Sequence, residues 1–254
     1  MTAKAKKRRI DVLLVDRGLA DSRARAQALV MAGAVFASGQ RVDKPGRELP
    51  DDAEIDVRGK DHPWVSRGGL KLAHALEAFG YDPAGQVAID VGASTGGFTD
   101  VLLQKGASRI YAVDVGHGQL DWKLRSDDRV VVLERTNARH LTEAEIPETV
   151  GLVVCDASFI GLAVVLPAAL ERVGPGGTCI ALIKPQFEAG REEVGKKGVV
   201  RDPAVHEAVC ERVRDWFDSL PGWRMVALDE SPVLGPEGNK EFLIFARKDS
   251  NGEA

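Results

Sequence analysis

The pattern of apolar and polar positions divides the chain into two parts near residue 60. Before it the pattern predicts short helices followed by short strands, and after it strands alternate with helices. In the first part, apolar positions at helical spacing predict two short helices, over about 10–18 and 22–31. Short apolar runs bounded by turn residues predict the strands that follow, at 35–37, 40–42 and 53–57. This first part is therefore expected to be a small α+β domain.

The second part alternates strand patterns with helical patterns. A stripe of Leu72, Leu76 and Phe79 predicts its first helix, and further helices are predicted over 162–172 and 203–219. The predicted strands are 87–90, 109–114, 130–133, 152–156 and 178–184, followed by an antiparallel pair at 223–228 and 241–247. This alternation predicts an α/β fold, a Rossmann-like doubly wound sheet that ends in a hairpin.

Charge and turn residues support a division into residues 1–60, a linker at 61–69, and residues 70–254. The stretch around His62 and Pro63 is polar and rich in turn residues. Residues 1–60 carry 13 Lys and Arg against 9 Asp and Glu, whereas the remainder carries 21 against 29. A basic front on an acidic body indicates that the first domain contacts a polyanion.

Several classes of protein are disfavoured by composition. The three cysteines, Cys155, Cys179 and Cys210, form no C-x-x-C pair, so neither a disulfide framework nor a zinc site is expected, and no other metal ligand cluster is visible. No apolar run reaches the roughly 18 residues that span a bilayer, and no signal-peptide core follows the basic N-terminus. A cytoplasmic location is therefore expected.

The stretch Asp90-Val-Gly-Ala-Ser-Thr-Gly-Gly-Phe-Thr-Asp100 joins a buried strand to a helix through a glycine turn. Its G-x-x-x-G-G spacing fits neither a dinucleotide fingerprint nor a P-loop. Its two aspartates suit a cationic ligand, and the loop resembles motif I of S-adenosylmethionine (SAM)-dependent methyltransferases. That resemblance implies SAM as the cofactor. The expected contacts from this loop are Asp90, Gly92, Ala93, Ser94, Gly96, Gly97 and Phe98. A tight turn without a ligand is the alternative interpretation.

Charged residues end several of the predicted strands. Asp114 ends the second strand, where an acidic residue usually binds a ribose diol in nucleotide-binding α/β folds. Asn137 follows the third strand, near the place where SAM-binding folds hold adenine. Asp156 and Lys184 end the fourth and fifth strands. Ligands of such sheets bind at the carboxyl ends of strands, so these residues are expected to share one site.

The first domain resembles the S4 RNA-binding domain. The resemblance rests on Arg9-Ile10-Asp11-x-x-Leu14, Gly18-Leu19, Ser22-Arg23 and Gly33-Ala34-Val35. The basic residues 4–9 are predicted to be a mobile tail. The expected RNA contacts, mostly to phosphates, are Arg8, Arg9, Ser22, Arg23, Arg25, Lys44 and Arg67. A solvated helical face on an accessory domain is the alternative.

The whole chain resembles the TlyA family, S4-domain proteins with an FtsJ-type ribosomal RNA 2′-O-methyltransferase body that are sometimes labelled haemolysins. The segments that carry this resemblance are Trp64-Val-Ser-Arg-Gly-Gly-x-Lys-Leu72, the glycine loop, Asp156-Ala-Ser-Phe159, Lys184-Pro-Gln-Phe-Glu188 and Gly238-Asn-Lys-Glu-Phe242. The resemblance implies ribose 2′-O-methylation of ribosomal RNA or a ribosomal subunit by a tetrad: Lys71, Asp156, Lys184 and Glu241. Without it, Lys71 would be interpreted as a surface lysine.

The residues after the fourth strand are consistent with a hydroxyl acceptor. They lack the N/D-P-P-F/Y motif of amino-methylating enzymes, and the chain has no Pro-Cys nucleophile for cytosine C5 chemistry. Lys184 either removes the proton of the ribose hydroxyl or orients that hydroxyl, and both roles stay open. Asp156 would hold the Lys184 ammonium, while Lys71 and Glu241 would hold these two groups and the RNA backbone.

Three other functions compete with this interpretation. The chain could be a non-catalytic RNA-binding protein, which the complete tetrad argues against. It could be a membrane-active haemolysin, which the lack of an apolar span argues against. It could be a pseudouridine synthase, since S4 domains also occur there, but the glycine loop and the parallel strand pattern argue against that.

Overall fold

The computed structural model describes residues 7–20, 22–57, 62–190, 192–195, 198–235 and 238–250. Residues 4–6 of the predicted tail and Asp61 of the predicted linker lie outside these ranges. The chain folds into two compact units, Met1–Arg67 and Gly68–Ala254. Each unit is described by itself below.

The first unit is a small α+β domain with a core of its own. Its elements are β1 (Lys7–Arg9), α1 (Ile10–Asp16), α2 (Arg23–Met31), β2 (Val35–Ala37), β3 (Gln40–Arg41), β4 (Glu48–Pro50) and β5 (Ile55–Val57). Strands β3, β2 and β5 form one antiparallel sheet, in that order. Ile10, Leu13, Leu14 and Val30 pack with Val35 in the core.

The segment predicted to be a mobile basic tail is partly ordered, so that prediction is wrong for residues 7–9. Lys7–Arg9 forms β1 and pairs antiparallel with β4, with Arg8 opposite Leu49. The side chain of Arg8 also forms ion pairs with Asp16 and Asp51. Backbone pairing and these two ion pairs explain the order, and neither is visible in a local hydrophobic pattern.

The second unit is built on one seven-stranded sheet. Its strands are β6 (Val87–Val91), β7 (Arg109–Asp114), β8 (Val130–Glu134), β9 (Val150–Cys155), β10 (Val173–Ile183), β11 (Trp223–Glu230) and β12 (Phe242–Lys248). Their order across the sheet is β11-β12-β10-β9-β6-β7-β8. The five strands β6 to β10 are parallel, and β12 is antiparallel to both β10 and β11. The predicted doubly wound sheet with a terminal hairpin is confirmed.

Helices cover this sheet and its strand ends. They are α3 (Gly68–Ala78), α4 (Gly97–Gln104), α5 (Trp122–Arg125), α6 (Leu162–Val165), α7 (Pro167–Glu171), α8 (Pro185–Glu188) and α9 (Pro203–Ser219), with a 3₁₀ turn at Ala138–His140. The single helix predicted over 162–172 is divided before Pro167, because proline has no N–H to continue the hydrogen-bond ladder. The fifth strand also begins earlier than predicted, at Val173, with an irregular register before Thr178.

Backbone hydrogen bonds tie the carboxyl ends of three central strands together. The N–H groups of Gly92 and Ala93, after β6, both donate to the carbonyl of Val113 in β7. The N–H of Asp156, after β9, donates to the carbonyl of Val91. The loops that carry the predicted functional residues therefore start from one fixed edge of the sheet. Among the described residues, no helix is both long and apolar enough to cross a membrane.

Candidate active site

Four charged side chains from four separate elements meet in the second unit. Lys71 lies in α3, Asp156 follows β9, Lys184 follows β10, and Glu241 precedes β12. Lys71 Nζ is 2.6 Å from Glu241 Oε2 and 3.7 Å from Asp156 Oδ2, and Lys184 Nζ is 2.6 Å from Asp156 Oδ1. The structure thus brings the predicted tetrad into one cluster of two ammonium groups and two carboxylates.

The ammonium of Lys184 is held by three acceptors. It donates hydrogen bonds to the main-chain oxygen of Asp156 (3.0 Å) and to Ser158 Oγ (2.9 Å), and it forms the ion pair with Asp156 Oδ1. The two hydrogen bonds and the ion pair together give Nζ three oxygen partners. Lys184 is buried, whereas Ser158 is exposed. Ser158 was not selected from the sequence, although it lies within the Asp156-Ala-Ser-Phe159 segment.

Glu241 joins the terminal hairpin to the cluster. Its side chain is fully buried, and its main-chain oxygen accepts a hydrogen bond from the N–H of Ser231. A Cβ atom on Gly235 would lie 2.2 Å from Glu241 Oε1, so the loop before β12 packs directly against the carboxylate. Gly235 is a second position that the sequence did not reveal, because its role depends on a close approach.

The glycine loop turns between β6 and α4 as the sequence predicts. Gly92 has a φ of +80°, and a Cβ there would lie 2.8 Å from Ala157 Cα. Gly96 has a φ of +94° and precedes the first turn of α4, and a Cβ there would lie 2.2 Å from a methyl carbon of Leu124. Both positions therefore require glycine for conformation and for space. Ala93 and Gly97 lie buried in the same turn, and Phe98 is buried in the core.

Asp90 is a fully buried carboxylate that is only partly satisfied. Its Oδ2 accepts hydrogen bonds from the Thr99 N–H (3.0 Å) and the Thr99 hydroxyl (2.7 Å). Its Oδ1 has no hydrogen-bond partner among the described residues. Burial raises the pKa of Asp90 to about 7, and the negative charges of Asp156 and Asp114 add to the effect. A cation beside Oδ1 would remove this penalty.

Asp114 and Asn137 each organise a loop. Asp114 Oδ2 accepts from the Ser94 N–H (2.8 Å), and its Oδ1 accepts from the Gly116 N–H (2.7 Å). Each carboxylate oxygen retains capacity for a second donor. Asn137 is exposed, and its side-chain oxygen accepts from the Arg139 N–H (3.1 Å), which caps the 3₁₀ turn. Ser94 also hydrogen-bonds Gln119.

These features fit a SAM molecule. SAM carries an ammonium and a sulfonium, and the carboxyl end of the sheet presents Asp90, Asp114 and Asp156. The unpartnered Oδ1 of Asp90 is available to a positive group, and the lack of a side chain at Gly92 lets the backbone of Ala157 approach the glycine loop closely. No group of His, Cys, Asp and Glu that could hold a metal ion is found in the described part of the chain.

The predicted RNA-binding residues of the first unit have diverse partners. Arg9 and Arg23 both contact Asp11, and Arg67 pairs with Asp43 at 3.5 Å. The hydroxyl of Ser22 accepts from the Arg25 N–H, so it caps α2. Of the predicted RNA contacts that are basic, those that lie exposed are Arg9, Arg23, Arg25 and Lys44. Arg8, in contrast, is held by Asp16 and Asp51.

Comparison with known proteins places both units. The FtsJ-like methyltransferase family matches residues 64–248, and the S4 domain family matches residues 8–55. A Bacillus subtilis protein named "Putative rRNA methyltransferase YqxC" is 49% identical over 98% of this chain and 89% of its own length. The Mycobacterium tuberculosis "16S/23S rRNA (cytidine-2'-O)-methyltransferase TlyA" is 47% identical over 96% of this chain and 91% of its own.

A solved structure is similar to this chain in both sequence and fold. The protein described as "Putative hemolysin from Streptococcus thermophilus" has a TM-score of 0.74 and 44% identity, covering 97% of this chain and 90% of that one. The haemolysin name therefore occurs among relatives that share both sequence and fold with this chain. Family matches over both units, together with near full-length relatives, show that the chain is a SAM-dependent methyltransferase of the FtsJ-like family and belongs, with its S4 domain, to the TlyA family.

Proposed function

We propose that this protein transfers a methyl group from SAM to the 2′-hydroxyl of a ribose in ribosomal RNA. The observation that carries the proposal is the cluster of Lys71, Asp156, Lys184 and Glu241 at the carboxyl edge of the sheet. The named activity of the TlyA relative, a 16S/23S rRNA cytidine 2′-O-methyltransferase, supports the same substrate class.

A hydroxyl acceptor suits this cluster because ammonium groups can bind and orient an oxygen nucleophile. Lys184 is the candidate that contacts the 2′-hydroxyl, since its Nζ lies beside the exposed Ser158 at the edge of the cluster. The ribose oxygen would approach Nζ from this exposed side of the cluster, beside the Ser158 hydroxyl. Lys184 then acts in one of two ways: as a neutral amine it takes the hydroxyl proton, or as an ammonium it stabilises the developing negative charge on that oxygen.

The other three tetrad residues fix the position of Lys184 and the charge balance. Asp156 contacts Lys184 through Oδ1 and faces Lys71 through Oδ2. Lys71 is in turn anchored by the buried Glu241. An array of paired charges loses little free energy in reorganisation when a charge develops on the substrate, and such preorganisation is a main source of catalysis. Much of the remaining rate would come from aligning donor and acceptor.

SAM, when bound, supplies an electrophilic methyl group on a sulfonium. We assign its binding to residues of the glycine loop and of the next two strand ends. Asp90 would face a positive group of the cofactor, Asp114 the ribose diol, and Asn137 the adenine side. The glycine-loop residues proposed to contact it are Gly92, Ala93, Ser94, Gly96, Gly97 and Phe98.

The first domain is proposed to bind the ribosomal RNA or subunit. The residues assigned to this contact are Arg8, Arg9, Ser22, Arg23, Arg25, Lys44 and Arg67. We assign residues 1–60 to the RNA-binding domain, residues 61–69 to a linker and residues 70–254 to the catalytic domain. A ribosomal substrate would place the enzyme in the cytoplasm.

Methyl transfer to ribosomal subunits that lack the modification tests the proposal. Isotope-labelled SAM is incubated with the wild-type protein or with Lys184→Ala, and the labelled nucleotide is then identified. We expect label on a ribose only with the wild type. Label with both proteins would reject the role of Lys184, and no label on either subunit, with SAM binding demonstrated, would reject the substrate.

A further inference from the structure

A buried carboxylate of the first unit contacts two exposed arginines, Arg9 and Arg23. Asp11, in the first turn of α1, has no solvent exposure. It accepts four hydrogen bonds, as many as the lone-pair sites of a carboxylate. The donors are Arg9 Nε (3.0 Å), Arg9 Nη2 (2.8 Å), Gln27 Nε2 (2.9 Å) and Arg23 Nε (3.1 Å).

Burying a carboxylate is costly unless it is paired and hydrogen-bonded. The hydrogen bonds from Arg9, with smaller contributions from Gln27 and Arg23, hold the pKa of Asp11 well below its usual range. Asp11 is therefore ionised at neutral pH. The burial of the Asp11 carboxylate depends on these partners, because removing the arginines would leave an unpaired charge inside the domain.

The Asp11 carboxylate contacts both arginines but uses only some of their N–H donors. Arg9 Nη2 and Arg23 Nε share one oxygen, Oδ2. Their side chains remain 45% and 57% exposed. An arginine carries five N–H donors, and the Nη1 donors of Arg9 and both Nη groups of Arg23 contact no acceptor within the described residues. Two positive charges thus lie side by side on the carboxylate of Asp11, and the charge of Glu48, which is opposite Arg9 in β4, makes a smaller contribution at Arg9.

We propose that Asp11 is a positioning residue that holds Arg9 and Arg23 together as a single site for one RNA phosphate. The carboxylate offsets part of the repulsion between the two guanidinium groups and fixes their orientation before RNA arrives. Because their free donors form a planar fork, the pair is suited to a phosphodiester oxygen pair. This inference rests on the proposed RNA-binding role of the first domain.

Simple electrostatics and positioning predict opposite effects for one substitution. Asp11→Asn removes a negative charge from a basic face, so long-range attraction to RNA would increase. If Asp11 positions the arginines, the same substitution releases them and RNA binding weakens despite the more favourable net charge. The sign of the change therefore separates the two explanations.

The experiment measures binding of the full-length protein to 16S and 23S ribosomal RNA transcripts over a range of KCl concentrations. We expect Asp11→Asn to lose about tenfold in affinity and to lower the salt dependence by about one phosphate contact. The matched control is Asp16→Asn, which neutralises a partly exposed carboxylate in the same helix and should bind at least as tightly as the wild type. In an Arg9→Gln/Arg23→Gln background, Asp11→Asn should cause no further loss.

Two further measurements distinguish weaker RNA binding from a loss of folded protein. Arg9→Lys/Arg23→Lys preserves the charge but removes the Nε contacts, so it should also bind about tenfold more weakly. In Asp11→Asn, SAM affinity and the rate of methyl transfer at saturating RNA should stay unchanged, while KM for RNA rises. Equal or tighter binding by Asp11→Asn, or its full effect in the Gln/Gln background, would overturn the inference. Wild-type binding by Arg9→Gln/Arg23→Gln would overturn the RNA role of this face as well.

Discussion

The catalytic cluster and the Asp11 cluster both place basic side chains around buried carboxylates, but they balance charge differently. In the second unit, Lys71 and Lys184 meet Asp156 and Glu241, two charges of each sign. In the first unit, Arg9 and Arg23 meet the single carboxylate of Asp11. The matched cluster can be buried almost completely, whereas the unmatched one keeps its cations at the surface. A balanced set fixes geometry, and an unbalanced set retains attraction for an anion.

The largest expected effect comes from breaking the matched set at its most buried pair. Glu241→Gln or Lys71→Met alone leaves a buried charge without its partner, which is expected to cost about 3–5 kcal/mol of folding free energy. The double variant should recover most of that stability because no charge is left unpaired. Denaturant unfolding of the three variants measures this recovery.

Activity should separate from stability in the same three variants. Methyl transfer should stay low in the double variant, since Lys71 and Glu241 would both be missing from the site. Additive destabilisation in the double variant would show that the two side chains do not act as a pair. Restored activity would remove both from the proposed tetrad.

The second prediction concerns the carboxylate that faces both lysines. Asp156→Asn keeps the shape of the side chain but leaves two ammonium groups with one carboxylate, like the ratio in the Asp11 cluster. We expect the single-turnover rate of methyl transfer to fall about 100-fold or more, with SAM affinity changed only a few-fold. Rapid-quench assays and calorimetry measure the two quantities. A near-normal rate would show that charge matching at Lys184 is not needed for catalysis.

A smaller effect is expected at the neutral partner of Lys184. Ser158→Ala removes one hydrogen bond to a charged group, so kcat should fall about tenfold. Ser158→Thr keeps a hydroxyl and serves as the matched control. If both variants lose the same amount, steric fit rather than the hydrogen bond to Lys184 explains the loss. If neither loses activity, Ser158 is only a bystander in the cluster.

The smallest predicted effect is a pH-dependent change at Asp90, a buried carboxylate with no basic partner in the described residues. Its raised pKa of about 7 means that the folded protein keeps a proton that the unfolded chain releases near pH 4. The stability linked to that proton is complete below about pH 4 and is lost as the pH rises through about 7.

Thermal unfolding without SAM tests this linkage. The melting temperature of Asp90→Asn should gain a few degrees on that of the wild type between pH 5 and pH 8. The amide oxygen can still accept both Thr99 hydrogen bonds, so those contacts serve as an internal control. Adding SAM at pH 8 should stabilise the wild type more than the variant. A difference that does not change with pH would contradict the raised pKa.

Local sequence patterns predicted most of the fold, because strands of a parallel sheet are buried on both faces and form continuous apolar runs. They predicted less at positions whose partners are distant. Lys71 alone has the pattern of a surface lysine, and carboxylates distant in sequence, Asp156 and Glu241, explain its burial. Strand β1 was missed for the same reason, since three basic residues become a strand only beside Glu48–Pro50.

Local sequence patterns are limited in the same way for individual residues of the two candidate sites. The glycine loop is visible in sequence because glycine is required by its backbone conformation. Gly235, Ser158 and Asp11 were not selected, because each matters through one contact with a side chain brought there by folding. Asp11 was visible within the Arg9-Ile-Asp11 motif, but its burial was not, since an acidic residue in a first helical turn is usually explained by the helix dipole.

The position of β12 has a consequence for the timing of synthesis. This strand is the last of the described strands, yet it lies between β10 and β11 inside the sheet, and Glu241 immediately precedes it. A ribosome that has made every residue up to the start of this segment has produced a sheet with a gap and a Lys71 that lacks the carboxylate of Glu241. The nascent enzyme would therefore acquire its complete charge cluster only after β12 leaves the exit tunnel. By then the first domain has had time to fold, because almost the whole second unit has been synthesised after it.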